Sequence, residues 1–277
     1  MPELPEVETI RLGLERHVLG TRVEEVVIHS ARAVRKLADP AALEDDFSGR
    51  RIEEVARRGK FLWFALGGAP TAFVIHLGMS GQLLVHDTAP RELPRHTAVT
   101  VVLDGGAILF VDQRTFGFVH SSPFVDTPDG LPAGMGTRLP ALPALASHIA
   151  RDPLDPHLDL DAVVARMGRT SSAIKRVLLD QRYVSGIGNI YADETLWHAQ
   201  VHPATPANQL APEDLGRVVR TAAEVMGAAV RLGGTSFDAM YVNAEGQSGY
   251  FARELRAYGR TGGPCARCST PLIRQVL

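Results

Sequence analysis

The sequence predicts an α+β fold, because strand-like and helix-like patterns occupy different parts of the chain. Residues 21–120 contain a series of short β-rich runs, and after residue 150 the apolar residues recur at intervals of three and four. A further helical pattern opens the chain. Many short strands without intervening helices favour an antiparallel sandwich or barrel, here followed by a helical unit.

The opening helix is predicted over residues 5–18, with glutamates at its front, where the helix dipole favours acidic side chains. Its apolar positions are Val7, Ile10, Leu12, Leu14 and Val18. We expect the helix to bury this face and so hold the N-terminus in place. An enzyme that uses its terminal amine needs such an anchor, because free termini fray.

The β-rich runs are separated by turns of Gly, Asp and Pro, and the turn at residues 104–106 (DGG) is predicted to close a hairpin. Residues 122–156 are rich in Pro and Gly and contain the predicted domain boundary. We therefore predict a β domain at residues 1–140, a helical domain at 150–234 and a C-terminal segment at 235–277.

Composition excludes several classes of protein. The 277 residues contain no run of about eighteen apolar residues, so no transmembrane helix is predicted. The N-terminus is charged and lacks the apolar segment of a signal peptide, so no secretory signal is predicted. Two cysteines are too few for a disulfide framework, and we expect a cytoplasmic protein. Because the net charge is −2, any site for a polyanion must be a local basic patch.

The N-terminus is the first candidate site. Removal of Met1 would make Pro2 a secondary amine, and a terminal amine has a pKa of about 8. Such an amine can attack a carbonyl-like carbon and form a Schiff base, while Glu3 and Glu6 could move protons beside it. From these residues alone, the simpler interpretation is favoured: Pro2 only follows the start codon, and the glutamates begin a helix.

Four further motifs could contact DNA. In GIGN (186–189), between two predicted helices, Asn189 is a predicted N-cap, and the helix start could bind a phosphate or be an ordinary turn. Met79 lies in one strand turn, and Arg114 and Phe116 lie in another. These side chains could enter a base stack or read a base edge, although core packing also explains Met79 and Phe116. Lys60 could reach a phosphate or a sugar, or be a solvated edge charge.

Cys265 and Cys268 supply half of a zinc ribbon. The usual second pair lies about 15–20 residues further on, but only nine residues follow Cys268, and none is Cys or His. We expect either that the chain has been cut short or that no zinc is bound.

Together and in this order, these motifs resemble the bacterial formamidopyrimidine-DNA glycosylase (Fpg/MutM) family across essentially the whole chain. The resemblance is carried by MPELPEVE, DQRTFG, LLDQRYVSGIGNIYADE, GGTSFDAMYVN and AYGRTGGPCARC. The opening is similar to the formamidopyrimidine branch rather than the endonuclease VIII branch. The resemblance implies an N-terminal helix with an antiparallel β-sandwich, then a helix-two-turns-helix domain and a zinc finger that is incomplete here.

The resemblance also implies a function in base-excision repair. The protein would be a bifunctional glycosylase and AP lyase that binds double-stranded DNA with oxidised purines, chiefly 8-oxoguanine opposite cytosine and formamidopyrimidines, or with AP sites. The damaged base would be flipped out. Pro2 would attack the sugar C1′, Glu3 would donate a proton, and Lys60 would contact phosphate and help the β- and δ-elimination. We expect a cytoplasmic, nucleoid-associated monomer.

The resemblance implies roles for the remaining candidates. Met79, Arg114 and Phe116 would fill the space left by the flipped base, with Arg114 reading the orphaned cytosine. Phosphate contacts are implied for His96, Lys175 and Asn189. Glu6, Thr235 and Tyr250 would lie at the substrate pocket and its covering loop (235–250). Cys265 and Cys268 would bind structural zinc.

One departure from the family pattern keeps two alternatives open. The family's second cysteine pair and the arginine that precedes it are absent, which would affect zinc binding, DNA affinity and δ-elimination. We expect a shortened chain rather than a natural loss. The alternatives are a catalytically weak DNA-damage binding module and the same chemistry on oxidised pyrimidines.

Overall fold

The structure is a computed structural model that describes residues 2–88, 90–235, 243–247 and 249–275. The helices are α1 (Leu4–Val18), α2 (Ala42–Phe47), α3 (Leu160–Met167), α4 (Ile174–Leu179), α5 (Asn189–Ala199) and α6 (Pro212–Arg231). The strands are β1 (Val23–Ile28), β2 (Ile52–Arg58), β3 (Phe61–Leu66), β4 (Thr71–His76), β5 (Gly81–His86), β6 (Thr97–Leu103), β7 (Gly106–Asp112), β8 (Phe118–Asp126) and β9 (Ala141–Pro143).

The helix predicted over residues 5–18 is present as α1. Pro5 lies in its first turn, where the N–H that proline lacks would have no helical partner. The apolar positions at intervals of three and four are buried, but Leu12 is 36% exposed. The prediction for Leu12 was wrong because a residue two positions from both Ile10 and Leu14 lies on the opposite face of the helix.

Two antiparallel sheets enclose the larger core. The first has the strand order β1-β6-β7-β5 and the second the order β2-β3-β4-β8-β9. The turn predicted at residues 104–106 joins β6 to β7. Apolar residues from α1 and from both sheets form one cluster, so the N-terminal helix packs into the sandwich.

Two predictions about the β region need correction. A 3-10 turn (Ala31–Val34) and α2 interrupt the strands, which were expected to follow one another without helices. In addition, no strand was predicted at β8, which begins at Phe118, enters the Pro- and Gly-rich stretch and pairs with β4 from Phe118 to Pro123 in the second sheet. The local Pro content obscured this strand in the sequence.

The helical patterns after residue 150 are present as α3 to α6, so the α+β class is as predicted. These helices share a second apolar core, and Leu4 at the start of α1 belongs to it. Consecutive turns of α1 therefore contact both cores. Among the described residues, no helix is long and apolar enough to cross a membrane. The proposed boundaries at residues 140, 150 and 234 stay predictions.

The C-terminal segment is attached to α5 by a buried carboxylate. Glu194 is 1% exposed, and its oxygens accept the backbone N–H groups of Arg256, Ala257 and Tyr258, each at 2.8 Å. Residues 262–272 then form a hairpin-like turn, in which the N–H of Cys265 donates to the carbonyl of Thr270. The position of the two cysteines therefore depends on α5.

Replacing Glu194 with alanine should remove three hydrogen bonds to a charged acceptor and leave their donors unsatisfied. We expect the free energy of unfolding to fall by about 2–4 kcal/mol. Urea denaturation would measure this fall. Glu224→Ala, on the exposed face of α6, is the control and should change stability by less than about 0.5 kcal/mol. Equal effects of the two substitutions would contradict the role assigned to Glu194.

Candidate active site where the two cores meet

Glu3 caps the N-terminus of α5. Its Oε2 accepts the N–H groups of Gly188 at 2.7 Å and Tyr191 at 3.3 Å, and its Oε1 accepts that of Ile190 at 3.0 Å. The first N–H groups of a helix have no partner within the helix and favour an anion. Here the acceptor is a carboxyl group of the protein itself, from the N-terminal end of the sequence.

This arrangement corrects the interpretation of the GIGN motif. Gly188, and not Asn189, is the N-cap of α5, and Asn189 is its exposed first residue. The N–H groups expected to bind a DNA phosphate are occupied by Glu3. The predicted phosphate contact of the Asn189 side chain stays a prediction.

The two glycines of this motif allow α1 to approach α5. A Cβ on Gly188 would overlap the carboxylate of Glu3. Gly186 has a φ of 88°, and a Cβ there would lie 2.6 Å from a methyl carbon of Leu4. Larger residues would separate the N-terminus from the helix that it caps.

Glu6 ties the same region to the end of α6. Its Oε1 accepts the hydroxyl of Tyr191 at 2.9 Å and both the N–H and the hydroxyl of Thr235 at 2.8 Å. Its Oε2 accepts the N–H of Glu3 at 2.9 Å. Glu6 and Thr235 are thus in contact, as expected for two residues of one pocket, although their substrate contacts stay predictions.

Lys60 lies beside these carboxylates. Its Nζ donates to the carbonyl of Ile187 at 3.1 Å, and the side chain is half-buried, so it is not a solvated edge charge. Burial lowers the pKa of Lys60, and the neighbouring charges of Glu3 and Glu6 oppose that shift. A larger fraction of this amine is therefore neutral than in a solvated lysine.

Burial also raises the pKa of Glu3 to about 7, and it outweighs the opposing charge of Lys60 and the backbone hydrogen bonds from Ile190 and Tyr191. The carboxylate of Glu6 adds to the rise. A carboxylic acid with this pKa is partly protonated near neutral pH and can donate a proton. The buried Pro2 directly precedes Glu3 in the chain.

The loops with Met79, Arg114 and Phe116 are brought together by Asp112. Its Oδ1 accepts the hydroxyl of Ser80 at 2.6 Å and the N–H of Arg114 at 3.2 Å, and its Oδ2 accepts the N–H of Gly117 at 2.7 Å. Asp112 is 3% exposed, so these charge-assisted bonds form within the protein.

The exposure of these side chains distinguishes between the two interpretations offered for them, contact with DNA bases and packing in the core. Phe116 is 55% exposed and Arg114 is exposed, so the core-packing interpretation of Phe116 was wrong. Met79 is half-buried. The loop that carries it touches the other at Gly78, where a Cβ would lie 2.5 Å from the carbonyl carbon of Phe116. One face thus presents an arginine and an apolar ring to solvent.

The other predicted contacts are more scattered. His96 is exposed and has a φ of 69°, and Tyr250 is 63% exposed. The Nζ of Lys175 forms an ion pair with Asp193 at 2.6 Å. Of the predicted covering loop, residues 236–242 and 248 lie outside the described residues.

Sequence reasoning missed a buried ion network behind Lys60. Arg57 is fully buried; its Nε donates to Glu8 at 2.6 Å and its Nη1 to Asp152 at 2.8 Å. Oδ2 of Asp152 also accepts the N–H of Gly59 at 3.0 Å, one residue before Lys60. The basic run RRGK does not indicate this network, because its partners Glu8 and Asp152 lie far away in the chain.

Comparison with known proteins decides the family. The model of the formamidopyrimidine-DNA glycosylase N-terminal domain matches residues 1–119, and the formamidopyrimidine-DNA glycosylase H2TH domain matches residues 149–240. The formamidopyrimidine-DNA glycosylase of Mycobacterium avium (strain 104) is 49% identical over 277 residues, covering 99% of this chain and 93% of that relative. The chain belongs to the formamidopyrimidine-DNA glycosylase family. Its members are DNA glycosylases and AP lyases, so the predicted class of enzyme is confirmed.

Solved structures of formamidopyrimidine-DNA glycosylases share the fold. The MutM (Fpg) protein of Thermus thermophilus superposes with a TM-score of 0.81 at 35% identity, covering 100% of this chain and 94% of that one. A mutant of the Lactococcus lactis Fpg in complex with Fapy-dG-containing DNA gives 0.83 at 27% identity, covering 100% and 95%. These structures confirm the predicted α+β fold with its β-sandwich and helix-two-turns-helix domain.

The two cysteines fit only half of the zinc site that the family resemblance implies. Hydrogen bonds from the backbone N–H groups of Arg267 and Cys268 lower the pKa of Cys265 to about 7, which favours the thiolate that binds metals. A structural zinc needs four nitrogen or sulfur ligands. The described part of the chain contains no group of three or more His, Cys, Asp or Glu placed to hold a metal ion.

The raised pKa of Glu3 predicts a pH-dependent stability. Its folded pKa of about 7 exceeds the unfolded value of 4.5, so its contribution is fully present below pH 4.5 and is lost as pH rises through 7. We expect the stability of the wild type relative to Glu3→Gln to fall by on the order of 3 kcal/mol across this window. Urea titrations at each pH would measure the difference.

The exposed Glu224→Gln variant provides the control for this experiment. Its free energy of unfolding should stay within about 0.5 kcal/mol of the wild type over the same pH range, because substitutions at exposed positions change stability little. A flat curve for Glu3→Gln as well would show that burial does not hold Glu3 in its protonated form.

Proposed function

We propose that this glycosylase removes oxidised purines, chiefly 8-oxoguanine opposite cytosine and formamidopyrimidines, and then cleaves the DNA strand. The observation that carries the proposal is the buried carboxyl of Glu3, whose pKa is raised to about 7 by burial, beside the potential amine of Pro2. A terminal amine next to a proton donor suits Schiff-base chemistry at a sugar carbon.

In the proposed mechanism, Pro2 is free after removal of Met1. Its nitrogen attacks C1′ of the damaged nucleotide, the bond from C1′ to the base breaks, and the leaving base takes the electron pair. Glu3 in its protonated form supplies the proton for this departure, and the sugar opens as a Schiff base on Pro2. Glu6 holds both Tyr191 and Thr235, so its role is to shape the pocket.

Strand cleavage follows from the same intermediate. Loss of a proton from C2′ expels the 3′ phosphate, and a second elimination expels the 5′ phosphate. The Schiff base is then hydrolysed, which returns the amine of Pro2. Lys60, with its pKa lowered by burial, is placed to accept or relay a proton and to contact phosphate.

Recognition of double-stranded DNA is assigned to the exposed loops. Met79 and Phe116 would occupy the gap left by the flipped base, and Arg114 would hydrogen-bond the orphaned cytosine. The complex of a Lactococcus lactis Fpg mutant with Fapy-dG-containing DNA supports damaged DNA as the ligand. Several further roles stay predictions. They are phosphate contacts by His96, Lys175 and Asn189, a covering role for Tyr250, and zinc on Cys265 and Cys268. The monomeric state and the nucleoid-associated cytoplasmic location also stay predictions.

Borohydride trapping on a duplex with 8-oxoguanine opposite cytosine tests the chemistry. The wild type should form a covalent adduct, because borohydride reduces a Schiff base to a stable amine. Pro2→Gly should lower base excision by at least about a hundredfold. Pro128→Gly, in an exposed turn, should retain full activity.

The outcomes of this experiment separate the alternatives. Full excision by Pro2→Gly would refute the role of Pro2. Lesion binding by the wild type without an adduct would favour the weak binding module. Competition between 8-oxoguanine and thymine glycol duplexes would separate purine from pyrimidine preference.

The salt dependence of DNA affinity tests whether the protein contacts phosphates. Affinity for duplex DNA should fall steeply with salt, because each lysine or arginine bound to a phosphate releases counterions. Lys175→Gln should reduce the log–log slope by about one. Measurement by fluorescence anisotropy would check this. An unchanged slope would show that Lys175 stays paired with Asp193 and does not bind phosphate.

A further inference from the structure

The turn at residues 112–117, here called the wedge turn, carries Arg114 and Phe116 and is hydrogen-bonded on two sides. On its inner side, Asp112 accepts the N–H groups of Arg114 and Gly117. Thr115 at the tip has a φ of 55°, a left-handed conformation that threonine rarely adopts and that needs support from its surroundings. The inner bonds satisfy N–H groups and leave the carbonyls of the turn to another partner.

Arg35 bonds those carbonyls from the outer side. Its Nη2 donates to the carbonyl of Phe116 at 2.8 Å, and its Nη1 donates to that of Gly117 at 2.7 Å and, at 3.5 Å, to that of Thr115. Nη1 also donates to the carbonyl of Arg32 at 2.6 Å, which holds the guanidinium to its own segment. Arginine suits this task, because its planar guanidinium offers five donors in a fixed arrangement.

The next residue supports the end of the same turn. The Nζ of Lys36 lies 3.8 Å from the ring centroid of Phe118, the first residue of β8. Phe118 stacks on His76 with centroids 5.4 Å apart and an interplanar angle of 7°. Nδ1 of His76 accepts the N–H of Gly78, in the loop that carries Met79, at 3.1 Å. Two consecutive basic residues thus contact the wedge turn and its continuation.

We propose that Arg35 is a positioning residue that sets the enzyme's preference for the base opposite the lesion. The inference rests on the proposed function, in which Arg114 reads that base. Arg35 is exposed and so is not required for the core, yet it bonds consecutive carbonyls directly after Arg114. Loss of these bonds leaves the carbonyls of the turn without the guanidinium, so only the bonds on its inner side, to Asp112 and to the hydroxyl of Ser80, hold its backbone, and the orientation of Arg114 becomes less defined.

Arg35→Gln and Arg35→Lys, with Arg32→Gln as the matched control, test the proposal. Arg32 is an exposed arginine of the same segment, and its contact with Arg35 is made by its backbone carbonyl. Single-turnover excision would be measured with 8-oxoguanine opposite cytosine and opposite adenine. Binding would be measured on duplexes with a tetrahydrofuran abasic analogue opposite the same two bases.

We expect both Arg35 variants to lower the cytosine-to-adenine ratio about tenfold, in excision and in binding, because a lysine cannot span several carbonyls. Arg32→Gln should keep the wild-type ratio. Affinity for undamaged duplex should fall equally in Arg35→Gln and Arg32→Gln, since each removes one positive charge. Thermal unfolding should be unchanged in all three variants.

Three results would overturn the proposal. A wild-type ratio in Arg35→Lys would show that only the charge is needed, and a loss of affinity alone would make Arg35 a simple phosphate contact. A cytosine-to-adenine ratio of about one in the wild type, in excision and in binding, would leave no specificity for Arg35 to set. Absence of excision by the wild type would count against the proposed function, whereas the binding ratios would still decide the role of Arg35.

Discussion

The geometry of the site depends on the carboxylate of Glu3 at the N-terminus of α5. This contact joins residues separated by 185 positions in the chain and brings the first turn of α1 against the helical core. The helix start needs an acceptor for its N–H groups, and the N-terminus needs a rigid support. One interaction meets both needs, and it places Pro2 at the junction of the two cores.

The burial of this region also shifts the pKa values of Glu3 and Lys60. Burial penalises any charged form, so the pKa of Glu3 rises and that of Lys60 falls. Each shift favours the neutral form of its group relative to the same group in water. Glu6 differs because four donors bind its oxygens, which suits a structural role.

The surface assigned to DNA depends on a different kind of support. Arg114 and Phe116 are exposed, but the backbone that carries them is bonded by Asp112 on one side and by Arg35 on the other. Behind Lys60, Arg57 and Asp152 brace another turn. Contact residues on loops can be specific only when a rigid scaffold holds the loops.

The sequence by itself determined the α+β class, α1, the strands before residue 113, the four later helices and the family, because these follow from local periodicity and from ordered motifs. Tertiary structure decided that Glu3, and not Asn189, caps α5, that Leu12 faces solvent, and that β8 extends through a proline-containing stretch. It also decided that Arg57 is buried and that Arg35 bonds the wedge turn. These features join residues far apart in the chain, and their hydrogen bonds and desolvation depend on partners that no local pattern encodes.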